Sequence, residues 1–414
     1  MHPLTLSFVL VLAAMVAIRW WLATRQLAAL ARHRDSVPAA FAASVTLADH
    51  RRAADYGSAR LRLGRLELLN DALLLLWLTL AGGLAWCEQL AARAFAAPLT
   101  RGVATLLLLG FALALVSLPW QLWSTFHIES RYGFNRTTPK LFAADLARSW
   151  LLGLVLGAPL AALVLWLMAA AGARWWLWAW AVWVAFSLLL SVAWPRLIAP
   201  LYNRFRPLEA GALRAAVEGV LARCGYRADG VFVMDGSRRS SHGNAYFTGL
   251  GKTRRIVLFD TLLERLEPLE IEAVLAHELG HYRLHHIRNG LVLSFAFALA
   301  GFALLGYAAS NAALYPALGV PRPSTAAALA LFVLVTPVFM FPFAPLASWW
   351  SRRHEYQADR YAAAHSDAAA LARALVRLYR DNAATLTPDR LYSAWHDSHP
   401  PALARIAALT TATA

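Results

Sequence analysis

Charged side chains make up only 15% of this 414-residue chain. A soluble protein of that size carries about a quarter, so the shortage excludes an ordinary water-soluble enzyme. Lysine is almost missing, with Lys140 and Lys252 standing against 37 arginines. Cysteine occurs twice, as Cys87 and Cys224, without a CxxC pair, which excludes a disulfide scaffold and a cysteine zinc site. No internal repeat and no low-complexity linker interrupts the Ala-rich background. The first apolar run, residues 5–24, lacks a basic segment before it and a small-residue cleavage site after it, so it reads as a retained anchor and not as a signal peptide. The formal charge of +15 would suit nucleic acid, but the arginines gather in loops beside apolar runs instead of on one soluble face. They set topology, and no nucleic acid is expected as a partner.

What is abundant is apolar. Hydrophobic residues reach 59%, and the 17 tryptophans suit bilayer interfaces. Runs of spanning length lie at 5–24, 66–87, 103–126, 149–171, 174–195, 290–311 and 324–350, seven in all. Residues 25–65 hold eight arginines and 127–148 hold four Arg or Lys, while the alternate loops hold two, one and one. The positive-inside rule then puts the N-terminus outside and residues 25–65, 127–148, 196–289 and 351–414 in the cytoplasm. Glu67, Asn70 and Asp71 open the second span, and Pro337, Pro342 and Pro345 break the seventh. Such groups at membrane depth need protein or water around them.

One stretch carries chemistry. Residues 268–289, PLEIEAVLAHELGHYRLHHIRN, open on a proline suited to a first helical turn and repeat Ile271, Val274, Leu275 and Leu279 at helical spacing. One helix to about Ile287 is expected. His277 and His281 stack on one face about 6 Å apart along the axis, a spacing that can grip one zinc, with Glu278 able to reach a water there. His285 continues that face but lies about 12 Å from His277, too far to share a metal. HExxH arises by chance in about one chain of this length in a hundred, so a third ligand has to be found.

Residues 351–365, SRRHEYQADRYAAAH, supply it. Glu355 and Asp359 share a helical face. Glu355 would complete a His–His–Glu zinc site with an open fourth position, and Asp359 would fix the tautomer of a ligating histidine. His354 points about 100° away and is left out. Between the fifth and sixth spans, residues 196–289 read as a compact α+β insert. It has a helix over Leu208–Cys224, a strand over Gly230–Met234, and a hairpin of Asn244–Thr248 and Arg254–Asp260 about the turn Gly249-Leu250-Gly251-Lys252. An edge strand beside a zinc helix is where an extended peptide would be held.

HELGH followed by RRHEYQADRYA resembles the type I CAAX prenyl protease family of integral-membrane zinc endopeptidases. HIESRYGFNRTTPKLF (127–142), NAYFTGLGKTRRIVLFDTLL (244–263) and YSAWHDSHPPALARI (392–406) are similar to its other motifs, so the resemblance spans the chain. It implies seven tilted helices ringing a water-filled chamber, capped by a cytoplasmic zinc domain. It implies one zinc on His277, His281 and Glu355, with Glu278 as general base and Asp359 behind the ligands. His399 and Arg405 would line the cleft by the scissile bond and stabilise the oxyanion, and Asn244, Ala245 and Tyr246 would bind substrate.

The expected fold class is a mainly α polytopic membrane protein with a cytoplasmic α+β peptidase domain. Membrane parts at 1–199 and 290–350 would alternate with peptidase parts at 200–289 and 351–414. The expected partners are the bilayer and a peptide or protein substrate, lipidated or short. Arginine usage and a C-terminus lacking an endoplasmic reticulum retention signal resemble bacterial members, which places the chain in a bacterial inner membrane. Bacteria generally do not prenylate proteins, which counts against a prenyl substrate. A rival reading, an HtpX-like quality-control peptidase, fits less well, because such chains have fewer spans and lack the YGFNRTTPK loop.

Overall fold

The computed structural model describes residues 2–226, 230–248 and 255–411. Helices α1 (Pro3–His33), α2 (Leu47–Thr79), α3 (Gly83–Ala94), α4 (Pro98–Trp123), α5 (Pro139–Ala170) and α6 (Trp175–Ala193) form the first membrane part. Short α7 (Ala199–Tyr202), α8 (Ala212–Arg223), α9 (Asp260–Leu263) and α10 (Pro268–Arg283) follow, then α11 (His286–Ser310), α12 (Leu314–Ala317) and α13 (Thr325–Met340). The chain ends in α14 (Ala344–His365), α15 (Ala368–Asp381), α16 (Arg390–His396) and α17 (Ala402–Thr411). Among the described residues, six helical stretches are long and apolar enough to cross a membrane, and a bent pair makes a seventh.

That bent pair corrects the second expected span. Residues 66–87 do not form one helix, because α2 and α3 meet at 57°. Gly82 holds φ at 81°, and a Cβ on Gly83 would lie 2.8 Å from the Trp77 ring. Two glycines make this corner because side chains resist the first backbone and do not fit at the second. The seventh span is broken as its prolines suggest, with a single 3-10 turn, Phe341–Phe343, between α13 and α14. Beyond that turn α14 is continuous from membrane depth to the Glu355 region.

In-plane neighbours run α1, α2, α3, α4, α5, α6, α11, α13 and back to α1, a closed ring. Burial along the spans is one-sided. α4 buries Gly102, Thr105 and Leu109 at its start, and α5 buries Val164, Leu165 and Leu167 at its end. α6 buries Trp175 and Ala179 at its start, and α13 buries Ala326, Ala327, Ala328, Ala330 and Leu331 there. These ends lie together, for a Cβ on Gly102 would touch Leu165 and Ala326. The helices converge at the face away from the peptidase and splay towards it. A compact bundle would bury one side of each helix along its length; here only 6% of the sixth span's window is buried. The seven spans form a cone.

The peptidase part adds a four-stranded sheet in the order β1-β2-β4-β3, where β1 is Phe205–Pro207, β2 Val231–Met234, β3 Ala245–Thr248 and β4 Arg255–Phe259. β2 and β4 are parallel; both outer pairs are antiparallel. β4 is central, and Ile256, Val257 and Leu258 are buried accordingly. Val217 and Val220 of α8, Ile271, Leu275 and Leu279 of α10, and Leu371 and Leu375 of α15 close one core over it. The expected strands and the 208–224 helix are present, the latter starting at Ala212. The hairpin turn at 249–252 lies outside the described residues.

Candidate metal centre

α10 and α14 cross at Gly280, where a Cβ would stand 3.0 Å from the Ala358 Cα. The close approach brings the HELGH face of α10 against the Glu355 face of α14. One donor atom from each of His277, His281 and Glu355 falls within 4.8 Å of the others. The two Nε2 atoms are 3.2 Å apart, His281 Nε2 is 3.2 Å from Glu355 Oε1, and His277 Nε2 is 3.6 Å from Glu355 Oε2. Bonds of 2.0–2.1 Å in a tetrahedron give an edge of about 3.3 Å, so the three donors occupy three corners of a zinc-sized site. Glu355 Oε2 is buried without a well-aligned hydrogen bond, which a cation would satisfy. The residues fit a zinc.

A second layer fixes the first. Asp359 Oδ1 accepts from His277 Nδ1 at 2.8 Å, which turns the Nε2 lone pair to the site. Arg405 Nε and Nη2 donate to the two Asp359 oxygens at 2.9 and 2.6 Å. Its guanidinium is 6% exposed and also reaches Glu355 at 3.4 Å. Arg405 thus sits behind the ligands on Asp359, not in the open cleft where the family resemblance put it. His399 faces the site: Nδ1 is 2.6 Å from Glu355 Oε2 and the side chain is 60% exposed. Arg352 Nη1 donates to the Ser393 and Asp397 carbonyls at the end of α16, holding the segment that leads to His399.

Glu278 is turned into the same space and has no hydrogen-bond partner among the described residues. Burial pushes its carboxyl above the usual range, against the pull of His277 and His281. Burial draws His277 down, but bonds to Asp359 and Glu355 outweigh it and leave the metal-free ring pushed up to about 9.

α10 ends sooner than expected. It stops at Arg283, His285 takes φ 60°, and α11 starts afresh at His286. His285 therefore does not extend the HELGH face. The turn instead folds His286 beneath His281, with the two Nδ1 atoms 3.1 Å apart. His354, set aside in the sequence, stacks on His286 at 4.0 Å. Only the break explains either contact, and nothing in the residue spacing announces it.

β3, which carries Ala245 and Tyr246 and follows Asn244, is an edge strand of the sheet. Phe259 N donates to Asn244 O, so alternation turns the backbone groups of Ala245 and Phe247 to the free edge. Asn244 Oδ1 caps the Ala245 N–H at 2.8 Å. The loop after α4 docks on the segment before β3. Asn135 and Ser240 form a β-bridge, Phe134 stacks on His242 at 4.3 Å, and Arg239 grips Asp145 at 2.7 and 3.0 Å. The YGFNRTTPK motif thereby ties the membrane part to the segment leading into β3.

Both halves of the chain resemble known proteins. Residues 26–204 match the family described as CAAX prenyl protease N-terminal, five membrane helices, and residues 207–413 match peptidase family M48. The CAAX prenyl protease 1 homolog of Arabidopsis thaliana is 36% identical over 71% of this chain and 70% of its own. CAAX prenyl protease 1 of Saccharomyces cerevisiae is 36% identical over 71% and 69%, and the Homo sapiens homolog 32% over 76% and 74%. The crystal structure of S. mikatae Ste24p superposes with a TM-score of 0.91 at 30% identity, covering 99% of both chains. Likeness over 99% of the chain decides against the HtpX-like alternative. The chain belongs to peptidase family M48, in its CAAX prenyl protease branch, and is a membrane-embedded zinc metallopeptidase.

Proposed function

We propose that the chain cleaves lipidated or short peptides near their C-terminus, held along β3 and fed from the open end of the cone. The observation that carries this is the meeting of an unpartnered Glu278, three metal donors and a free strand edge at the wide end of a ring of apolar helices. A zinc ion on His277, His281 and Glu355, one per chain, would polarise the scissile carbonyl and acidify the attacking water. Glu278 takes the water proton and passes it to the leaving amine. His399, exposed beside Glu355, donates to the developing oxyanion, a contribution of about 3–4 kcal/mol. Asp359, backed by Arg405, holds His277. The backbone edge of Ala245 and Phe247 aligns the peptide once the Asn244 side chain swings off the Ala245 N–H. A cone of membrane helices open to the site suits a lipidated substrate, because the lipid chain stays in the membrane plane while its peptide reaches the metal.

Residues 200–289 and 351–414 build the peptidase unit and 1–199 with 290–350 the membrane unit in this reading. The arginine counts of the loops support a cytoplasmic peptidase and an outside N-terminus. The arginine bias supports a bacterial inner membrane. The orientation is checked with Ser237→Cys: Cys87 and Cys224 are buried, so labelling reports the new thiol. Labelling only after permeabilisation fits; labelling of intact cells from outside refutes the orientation. The substrate reading is tested by hydrolysis of a farnesylated CAAX peptide against the same peptide unprenylated. Preference for the farnesylated form in kcat/KM supports it. Equal rates on both would limit the function to general endoproteolysis.

A further inference from the structure

His281 has a positioning partner of its own, outside the residues so far given a role. Its Nδ1 lies 3.1 Å from His286 Nδ1, and His286 Nε2 lies 2.9 Å from Gln357 Oε1. Two ring nitrogens at that distance cannot both donate or both accept, so the row has a direction. In one direction His281 Nδ1–H donates to His286, and His286 Nε2–H donates to the Gln357 carbonyl oxygen. The His281 Nε2 lone pair is then bare and faces His277 and Glu355. In the other direction the Gln357 amide is rotated, its NH2 donates to His286 Nε2, and His286 Nδ1–H donates to His281. That leaves a proton on His281 Nε2, aimed into the metal site. One direction admits a cation; the other excludes it.

We propose that His286 and Gln357 form a polarity-setting relay that holds His281 in its metal-binding tautomer, as Asp359 does for His277. The two ligands are supported by different chemistry. His277 leans on a buried carboxylate, itself clamped by Arg405. His281 leans on a neutral row, so the site gains no further negative charge on that side. The row is built, not incidental. His285 at φ 60° turns His286 back beneath His281. His354 lies flat on the His286 ring at 4.0 Å and 8°, and Trp350 sits edge-on to His354 at 4.8 Å. These contacts fix the ring plane, so the remaining freedom is the direction of the row. Its outer end opens to a cavity of about 630 Å³ between α11 and α14, where Gln357 lies beside Arg353 and Arg360. Solvent there can rotate the amide.

The inference rests on the metal reading above and deepens it. The experiment measures zinc affinity by competition with a chromophoric chelator, together with the d–d spectrum of the cobalt-loaded full chain, for three changes at one position. Gln357→Glu can only accept, so it keeps the productive direction, and both readouts should match the parent. Gln357→Leu removes the anchor and should weaken zinc binding about 10- to 100-fold. Gln357→Lys can only donate; it favours the blocked direction and should weaken binding more than leucine does, with an altered cobalt spectrum. Ala364→Lys, in the same cavity seven residues away, adds the charge without the contact and should change neither readout. Equal affinities and spectra for the Glu, Leu and Lys variants would overturn the relay. So would a loss in Ala364→Lys as large as that in Gln357→Lys. Should the lysine variant fail to fold, the Glu–Leu pair still decides. The two failures are distinguishable: if the parent holds no zinc, or His277→Ala keeps it, the metal reading falls first. If the parent holds zinc through His277 and position 357 is indifferent, only the relay falls.

Discussion

At the scale of single residues, the site is a set of charges taken out of water and matched to one another. Arg405 is the clearest case. Its fork meets both Asp359 oxygens at 2.6 and 2.9 Å inside the protein, so removing it strands a buried carboxylate. Arg405→Ala should lower the unfolding free energy by about 3–5 kcal/mol, and with it the zinc affinity, read by denaturation in detergent and chelator competition. Arg405→Lys keeps the charge but loses the fork and should recover part of the loss. Full activity in Arg405→Ala would show that Asp359 needs no support. His277, Glu278 and His281 were legible in the sequence as one four-residue helical spacing, and Glu355 with Asp359 as a second, because such spacing is a local fact. The work of Arg405 was not, since its partner lies 46 residues away and no periodicity links them.

Elements position what residues supply. The α10–α14 crossing rests on Gly280 against Ala358, and the α10–α11 corner on His285. Gly280→Ala pushes a Cβ into the α14 backbone, so the two halves of the metal site must move apart. We expect a stability loss of about 1–3 kcal/mol and weaker zinc binding. An unchanged affinity would mean the crossing can slide without disturbing the ligands. His285 gives the opposite sign. A left-handed backbone favours glycine, so His285→Gly should keep activity at equal or higher melting temperature, while His285→Val should lose more than about 1 kcal/mol. Activity lost in His285→Gly would show that the imidazole, not the turn, matters. The helices themselves were readable from apolar run length, but the two corners were not. HYRLHHIRN has no glycine or proline to mark a stop, and the Gly82-Gly83 corner lies inside an apolar run long enough to be one span.

As a whole molecule, the spans act as more than an anchor. α4, α5, α6 and α13 are buried together at the far end, and α14 itself runs from the seventh span into the ligand helix. Residues 196–289 joined directly to 351–414 hold every proposed ligand. That fragment should nonetheless bind zinc poorly and cleave nothing, because the membrane helices set where α14 stands. Turnover near that of the full chain would reduce the cone to an anchor. Seven spans could be counted from composition, but their splay could not, since a converging and a parallel bundle have the same apolar lengths. Glu278 is where metal binding and proton transfer can be told apart. Zinc content and peptide hydrolysis, measured on the same purified preparations of the parent and Glu278→Gln, separate metal binding from proton transfer. One zinc per chain should be present in both, with turnover falling about 10²- to 10⁴-fold in the variant. Undiminished turnover in a zinc-loaded Glu278→Gln, or a parent chain without zinc, would contradict the assigned chemistry.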